Sequence, residues 1–282
     1  MTTSAQTTGK TPRGRAGLAD VDVQRILGRS AVYEVLALGL TYPSEASRER
    51  LADLVADLAD HEVVKAYGLA PRLAAITEAL DLTGVEDLQL EHNHLFLGQV
   101  LCSPHETEYE RDTFSKASQL ADIAGFYNAW GLQTSDVRRT MPDFIGTELE
   151  FLAMVTRREA YAMLRGWANR RKLARESVQA FMQTHPGRWV NAFAADLREV
   201  TSESPAGSFY SAIARLLEQF VVMDIAAAGV MPAVLGMRMP RSEDEEAMLC
   251  IEDELPVDED ELAEFEAELP LDVDLPSFPS FE

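Results

Sequence analysis

At 282 residues and 46% hydrophobic content, the chain is long enough to bury a sizeable core, while its two cysteines are too few for a disulfide framework. Of its 47 acidic residues, 17 fall between Glu243 and Glu282, where there is no Lys or Arg; the other 30 face 25 basic residues, a net of −5 against −22 for the whole chain. A mildly acidic body lacks the basic surface that phosphate backbones require, which excludes nucleic acid as a partner, and no run approaches the ~18 consecutive apolar residues of a membrane span.

The first 19 residues are rich in Thr, Gly and Arg and are expected to form a flexible arm. Met1 to Gly17 has no apolar segment of the secretory type, and Gly14 separates Arg13 from Arg15, so there is no twin-arginine pair. With unpaired cysteines in unlike surroundings, Cys102 in a loop and Cys250 in the acidic tail, a cytoplasmic location is expected.

Helical periodicity starts near Asp20. Val32, Val35, Leu36, Gly39 and Leu40 share one helix face. The run Thr41-Tyr42-Pro43-Ser44 ends that helix, and Ser44 is placed to cap the next, whose apolar face is Leu51, Leu54, Val55 and Leu58. Pro71 opens a third helix through Leu80. Leu88, His92, Leu95 and Phe96 mark a fourth that stops at Gly98. After a loop over 98–106, Leu120, Ile123, Ala124 and Tyr127 define a helix closed by Gly131.

A polar stretch from Gln133 to Asp143 contains Pro142, a helix breaker, and Asp143, a candidate N-cap for a helix from Phe144 to about Trp167. This stretch reads as a hinge between two helical halves, 20–132 and 144–240. Phe181 and Met182 end the next helix, and His185-Pro186-Gly187 is a turn. Trp189, Phe193 and Leu197 then repeat at helical spacing, as do Ile213, Leu216, Leu217 and Phe220. No segment alternates long enough for a strand, so an all-α bundle of about ten helices follows, with an acidic tail over 241–282. The tail mixes acids with apolar islands such as Met248 to Ile251 and is expected to be disordered.

Catalytic motifs are missing. There is no Gly-rich phosphate loop, no Walker-type lysine and no G-x-S-x-G elbow. His61-Glu62 and His105-Glu106 each lack the second histidine of a zinc protease motif. Glu91, His92, His94, Cys102 and His105 form the densest set of possible metal ligands. Glu91, Cys102 and His105 define the alternative to a binding protein, a metal-dependent helical enzyme. A third reading is an adaptor acting through its acidic tail. The favoured expectation is a protein without enzymatic activity, cofactor or metal.

Three ordered segments carry more than periodicity. Glu91-His92-Asn93-His94-Leu95-Phe96-Leu97-Gly98, continuing through Pro104-His105-Glu106-Thr107-Glu108-Tyr109, resembles the central signature of the TorD/DmsD/NarJ family of redox-enzyme maturation chaperones, with His105 in the place of an aromatic residue. Met141-Pro142-Asp143-Phe144 with Glu148-Leu149-Glu150-Phe151 is similar to the family's hinge motif, with Phe144 where the family has histidine. His185-Pro186-Gly187-Arg188-Trp189 is similar to its His-x-x-x-Trp segment. The 104–109 loop is most similar to chaperones of the ethylbenzene dehydrogenase or dimethyl sulfide dehydrogenase type.

The resemblance implies a chaperone that binds the apo catalytic subunit of a molybdopterin-containing oxidoreductase, and its twin-arginine leader peptide, before cofactor insertion and export. It would act as a monomer or a hinge-exchanged dimer. The candidate partner-binding residues are Glu91, His105, Glu106, Tyr109, Asp143, Phe144, Glu148, His185 and Trp189. Asp143, Glu148 and His105 are expected to be exposed, and His185 is expected to stack on or hydrogen-bond near the Trp189 indole.

Overall fold

The computed structural model describes residues 13–97, 100–110, 116–133 and 141–235. Most of the expected hinge, the acidic tail and Gly98 lie outside these residues. The described residues form ten α-helices and no sheet strand. The first helix, α1 (Arg13–Leu40), begins seven residues before the apolar periodicity does. Helix propagation adds a hydrogen bond per residue once a nucleus exists and needs no apolar face.

The caps follow from the sequence. In α2 (Glu45–Leu58) the Ser44 hydroxyl accepts from the Ser47 N–H at 3.1 Å and the Ser47 hydroxyl accepts from the Ser44 N–H at 2.8 Å, a reciprocal capping box. The short helix α3 (Glu62–Tyr67) has no apolar repeat to announce it. It exists because His61 Nδ1 accepts from the Val63 N–H at 3.2 Å and Gly68 closes it at φ 64°. Gly28 makes room for it, since a Cβ there would lie 2.2 Å from the His61 ring.

Pro71 sits in the first turn of α4 (Ala70–Asp81), where its missing N–H costs nothing. Then come α5 (Val85–Phe96), with Glu86 and Asp87 in its first turn, and α6 (Lys116–Ala129). The C-terminal part holds α7 (Ile145–Leu164), α8 (Ala168–Thr184), α9 (Pro186–Val200) and α10 (Pro205–Ala228).

Helix α7 lies along α1 and α8, and α10 lies against α9, α4 and α1. One apolar core therefore runs through elements from both sides of the 133–143 stretch. Its largest sealed side chains are Trp189, Tyr33, Tyr210, Phe151, Phe181 and Phe193. Burying each such ring contributes on the order of 2–3 kcal/mol, which makes this core the main stabilising element. A second buried group links α1 to α10. Arg29 donates from Nε and Nη2 to the two Asp224 oxygens at 2.6 and 2.8 Å, and the Tyr33 hydroxyl donates to the same carboxylate at 2.5 Å.

Candidate functional site

The 100–110 loop crosses the start of α7 and is tied to it by backbone. Glu106 N–H donates to Asp143 C=O at 3.1 Å, and Ile145 N–H donates to Pro104 C=O at 2.9 Å. His105 and Phe144 form an isolated antiparallel bridge, and their rings lie 5.8 Å apart. Two of the sequence motifs, far apart in the chain, are thereby one structural unit.

Asp143 does not cap α7. Phe144 occupies the N-cap position without a side-chain hydrogen bond, and the helix starts at Ile145. The Asp143 carboxylate turns to the loop instead, accepting from Thr107 N–H at 3.2 Å and Thr107 Oγ1 at 2.7 Å, with His105 Nδ1 3.1 Å away. Burial pushes its pKa up, but the hydrogen bonds from His105 and Thr107 outweigh burial and hold it below the usual value. The expected exposure of Asp143 is overturned, because three donors facing it from the loop draw it inside, where it is 1% exposed.

Glu148 is also buried rather than exposed, 0% accessible on the first turn of α7. Burial drives its pKa well above the carboxylate range, and the neighbouring Glu106 carboxylate and Asp143 raise it further. The Trp189 indole N–H, donating to Glu148 Oε2 at 3.3 Å, works in the other direction and is outweighed. Burial and the two neighbouring carboxyl groups therefore favour the protonated form of Glu148. Glu106 accepts from the Gln119 amide at 2.7 Å and faces His185 Nδ1 at 3.2 Å.

His185 sits at the α8–α9 junction as the N-cap residue of α9. It does not touch Trp189 as expected. Its ring packs against Phe181 at 5.0 Å and Phe126 at 5.6 Å, and Nε2 lies 3.2 Å from Asp122 Oδ2 without hydrogen-bond geometry. The reason is the turn: Pro186 starts a new helix directly after His185, so the four-residue spacing to Trp189 does not put the two rings on one continuous face. Trp189 instead packs on Tyr109 at 5.1 Å and Phe193 at 5.5 Å. The Tyr109 hydroxyl lies 3.2 Å from Asp196 Oδ2 and 3.3 Å from Ser103 C=O.

The result is a polar line from surface to core: Asp122, His185, Glu106, Glu148, Trp189. Only Asp122 is open, with 63% of its side chain accessible. It borders an open groove of about 770 Å³ lined by Glu110, Gln119, Asp122, Gln183, His185 and Arg188, in which Arg188 pairs with Glu110 at 2.9 Å.

Eight of the nine candidate residues gather here. Glu91 does not; it accepts from the Ser202 N–H at 3.2 Å beside the start of α10. The metal-ligand alternative has no geometric support. Cys102 is buried with Sγ 3.8 Å from Phe193 C=O, His105 faces Asp143, and among the described residues no group of three or more His, Cys, Asp or Glu side chains could hold a metal ion. Asp122, Gln119, Thr107 and Arg188 escape sequence reasoning. Gln119 and Asp122 lie on a helix with no motif of its own, so only their spatial approach to Glu106 and His185 reveals them.

Residues 64–195, which include all three motif segments, match the model of the family described as nitrate reductase delta subunit. Over 209 residues the chain is 26% identical to a perchlorate reductase assembly chaperone protein of Dechloromonas aromatica (strain RCB), covering 71% of this chain and 89% of that one. A crystal structure described as a redox enzyme maturation protein from Archaeoglobus fulgidus overlays at a TM-score of 0.45 and 20% identity, covering 68% of this chain and 93% of that one. Over its motif-bearing middle part the chain is thus similar to the NarJ/TorD-type family of redox-enzyme maturation chaperones.

Proposed function

We propose that the protein is a cytoplasmic, non-catalytic chaperone that binds the apo catalytic subunit of a molybdopterin-containing oxidoreductase, together with its twin-arginine leader, and holds it for cofactor insertion while delaying export. The observation that carries this reading is the relative named as an assembly chaperone, matched over 89% of its length by a segment that contains the whole polar line. The groove supports it chemically. Asp122 presents an exposed carboxylate at its rim, and a carboxylate is the natural bidentate acceptor for an arginine side chain. Behind it, Glu106 faces the buried His185 ring, whose Nε2 lies 3.2 Å from the Asp122 carboxylate.

The test is co-expression of the tagged chain with candidate molybdoenzyme catalytic subunits, with and without the leader, followed by affinity capture. Retention of one such subunit is expected. Asp122→Lys is expected to weaken leader binding about tenfold, the effect of replacing one charge-assisted contact by a repulsive one. Glu91→Gln, away from the groove, should leave it unchanged. Failure to retain any such subunit, with or without its leader, would overturn the reading.

A further inference from the structure

At the opposite kind of surface, the chain turns from α7 to α8 through residues 165–167, with Gly166 at φ 69°. Every residue from 164 to 170 is exposed. Four large apolar side chains stand open around this tip: Tyr161 at 53%, Leu164 at 62%, Trp167 at 37% and Leu173 at 58%. The Tyr161 and Trp167 rings meet edge to face at 5.7 Å. Two guanidinium groups lie over them, Arg165 at 5.5 Å from Trp167 and Arg170 at 4.4 Å from the same ring.

Charge here runs against the rest of the molecule. Residues 157–175 hold seven basic side chains and one acid, Glu159, in a chain of net charge −22. Glu159 is buried and paired with Arg175 at 3.0 Å and Arg171 at 3.8 Å, and Arg157 pairs with Glu34. Arg165 and Arg170 have no carboxylate within ion-pair distance among the described residues, so their charge faces outward.

We propose that this tip docks the protein on an anionic bilayer surface. Exposed Trp and Tyr suit the headgroup layer, where an apolar ring and a polar edge are both satisfied. Arginines stacked on those rings are placed to meet lipid phosphates, and each basic residue held near an anionic leaflet adds to the attraction. Leu164 and Leu173 distinguish a bilayer from a nucleic acid, because aliphatic side chains gain from hydrocarbon and nothing from phosphodiesters. The attachment is peripheral; no helix of the described residues is long and apolar enough to cross a membrane. It uses neither the groove nor the polar line, so it stands or falls apart from the client reading.

The full chain is mixed with vesicles of phosphatidylglycerol and phosphatidylcholine, or of phosphatidylcholine alone, and binding is read by co-sedimentation and tryptophan fluorescence. Binding to the anionic vesicles is expected, weakening with salt, with a blue shift that is absent in Trp167→Phe. The double variant Arg165→Glu, Arg170→Glu and the double variant Leu164→Ala, Trp167→Ala are each expected to lose about tenfold or more in vesicle affinity. Because these side chains are exposed, unchanged helical circular dichroism and melting will show that the variants fold. Equal binding to both vesicle types, no binding to anionic vesicles, wild-type binding by the charge-reversed variant, or binding to a single-stranded oligonucleotide in place of vesicles would each overturn the proposal.

Discussion

Nδ1 of His185 lies 3.2 Å from Oε2 of Glu106, and the two side chains are 2% and 0% exposed. Removing the imidazole takes away one of the groups that face this sealed carboxylate and leaves the Gln119 amide on it. We expect His185→Ala to lower unfolding free energy by about 2–4 kcal/mol in urea titrations, and His185→Gln to recover part of that. A loss below about 1 kcal/mol would show that Glu106 is satisfied without the imidazole.

Glu148 supplies a pH-dependent counterpart. Its folded-state pKa is raised above the ordinary 4.5, so between the two values the native state binds the proton that the unfolded chain releases. Its contribution is therefore fully present below pH 4.5 and is lost as pH rises toward the folded value. Glu148→Gln keeps the neutral shape and removes the titration. The variant should gain stability relative to the parent between pH 5 and pH 8, measured as paired urea midpoints. A difference that does not change with pH would count against a protonated Glu148.

His92 acts on the acid side. Wedged among the rings of Tyr42, Phe96 and Tyr210, it is pushed by burial from 6.5 down to about 4. The unfolded chain takes up a proton that the native ring refuses, so stability is intact above pH 6.5 and falls as pH drops toward 4. The loss is on the order of 2–3 kcal/mol by pH 4. His92→Leu, of similar volume, should flatten the stability profile between pH 6.5 and 4. A profile parallel to that of the parent would refute the assignment.

Asp224 neutralises Arg29 and accepts from Tyr33 and Tyr67 inside the α1–α10 contact. Asp224→Ala strands a largely buried guanidinium and two hydroxyls, with an expected cost of about 3–5 kcal/mol. Thermal melting would register this as a large drop in midpoint, and a change of only a degree or two would contradict it.

Two glycines should respond in opposite directions. A Cβ at Gly187 would lie 2.3 Å from the Met182 backbone oxygen, so Gly187→Ala must displace the α8–α9 turn and should cost about 1–3 kcal/mol. A Cβ at Gly125, within α6, meets nothing within 4 Å; Gly125→Ala should stabilise by about 0.5–1 kcal/mol. Chemical denaturation of the pair checks both signs at once.

The sequence by itself determined the helices and most of their ends. Apolar residues at 3.6-residue spacing can be buried in only one local conformation, and Ser44, Pro71 and Gly131 act through bonds and torsions within a few residues. The short helix Glu62–Tyr67 was not legible, because its signals are a histidine cap and Gly68 rather than an apolar repeat. The motif residues were legible as candidates, but their roles were not. Whether Asp143 caps a helix or pins a loop depends on Thr107, 36 residues away, and whether Glu148 is charged depends on Glu106 and on burial. Only the tertiary structure decides such matters, since desolvation and the approach of a second carboxyl are properties of the packed chain and leave no mark on local spacing.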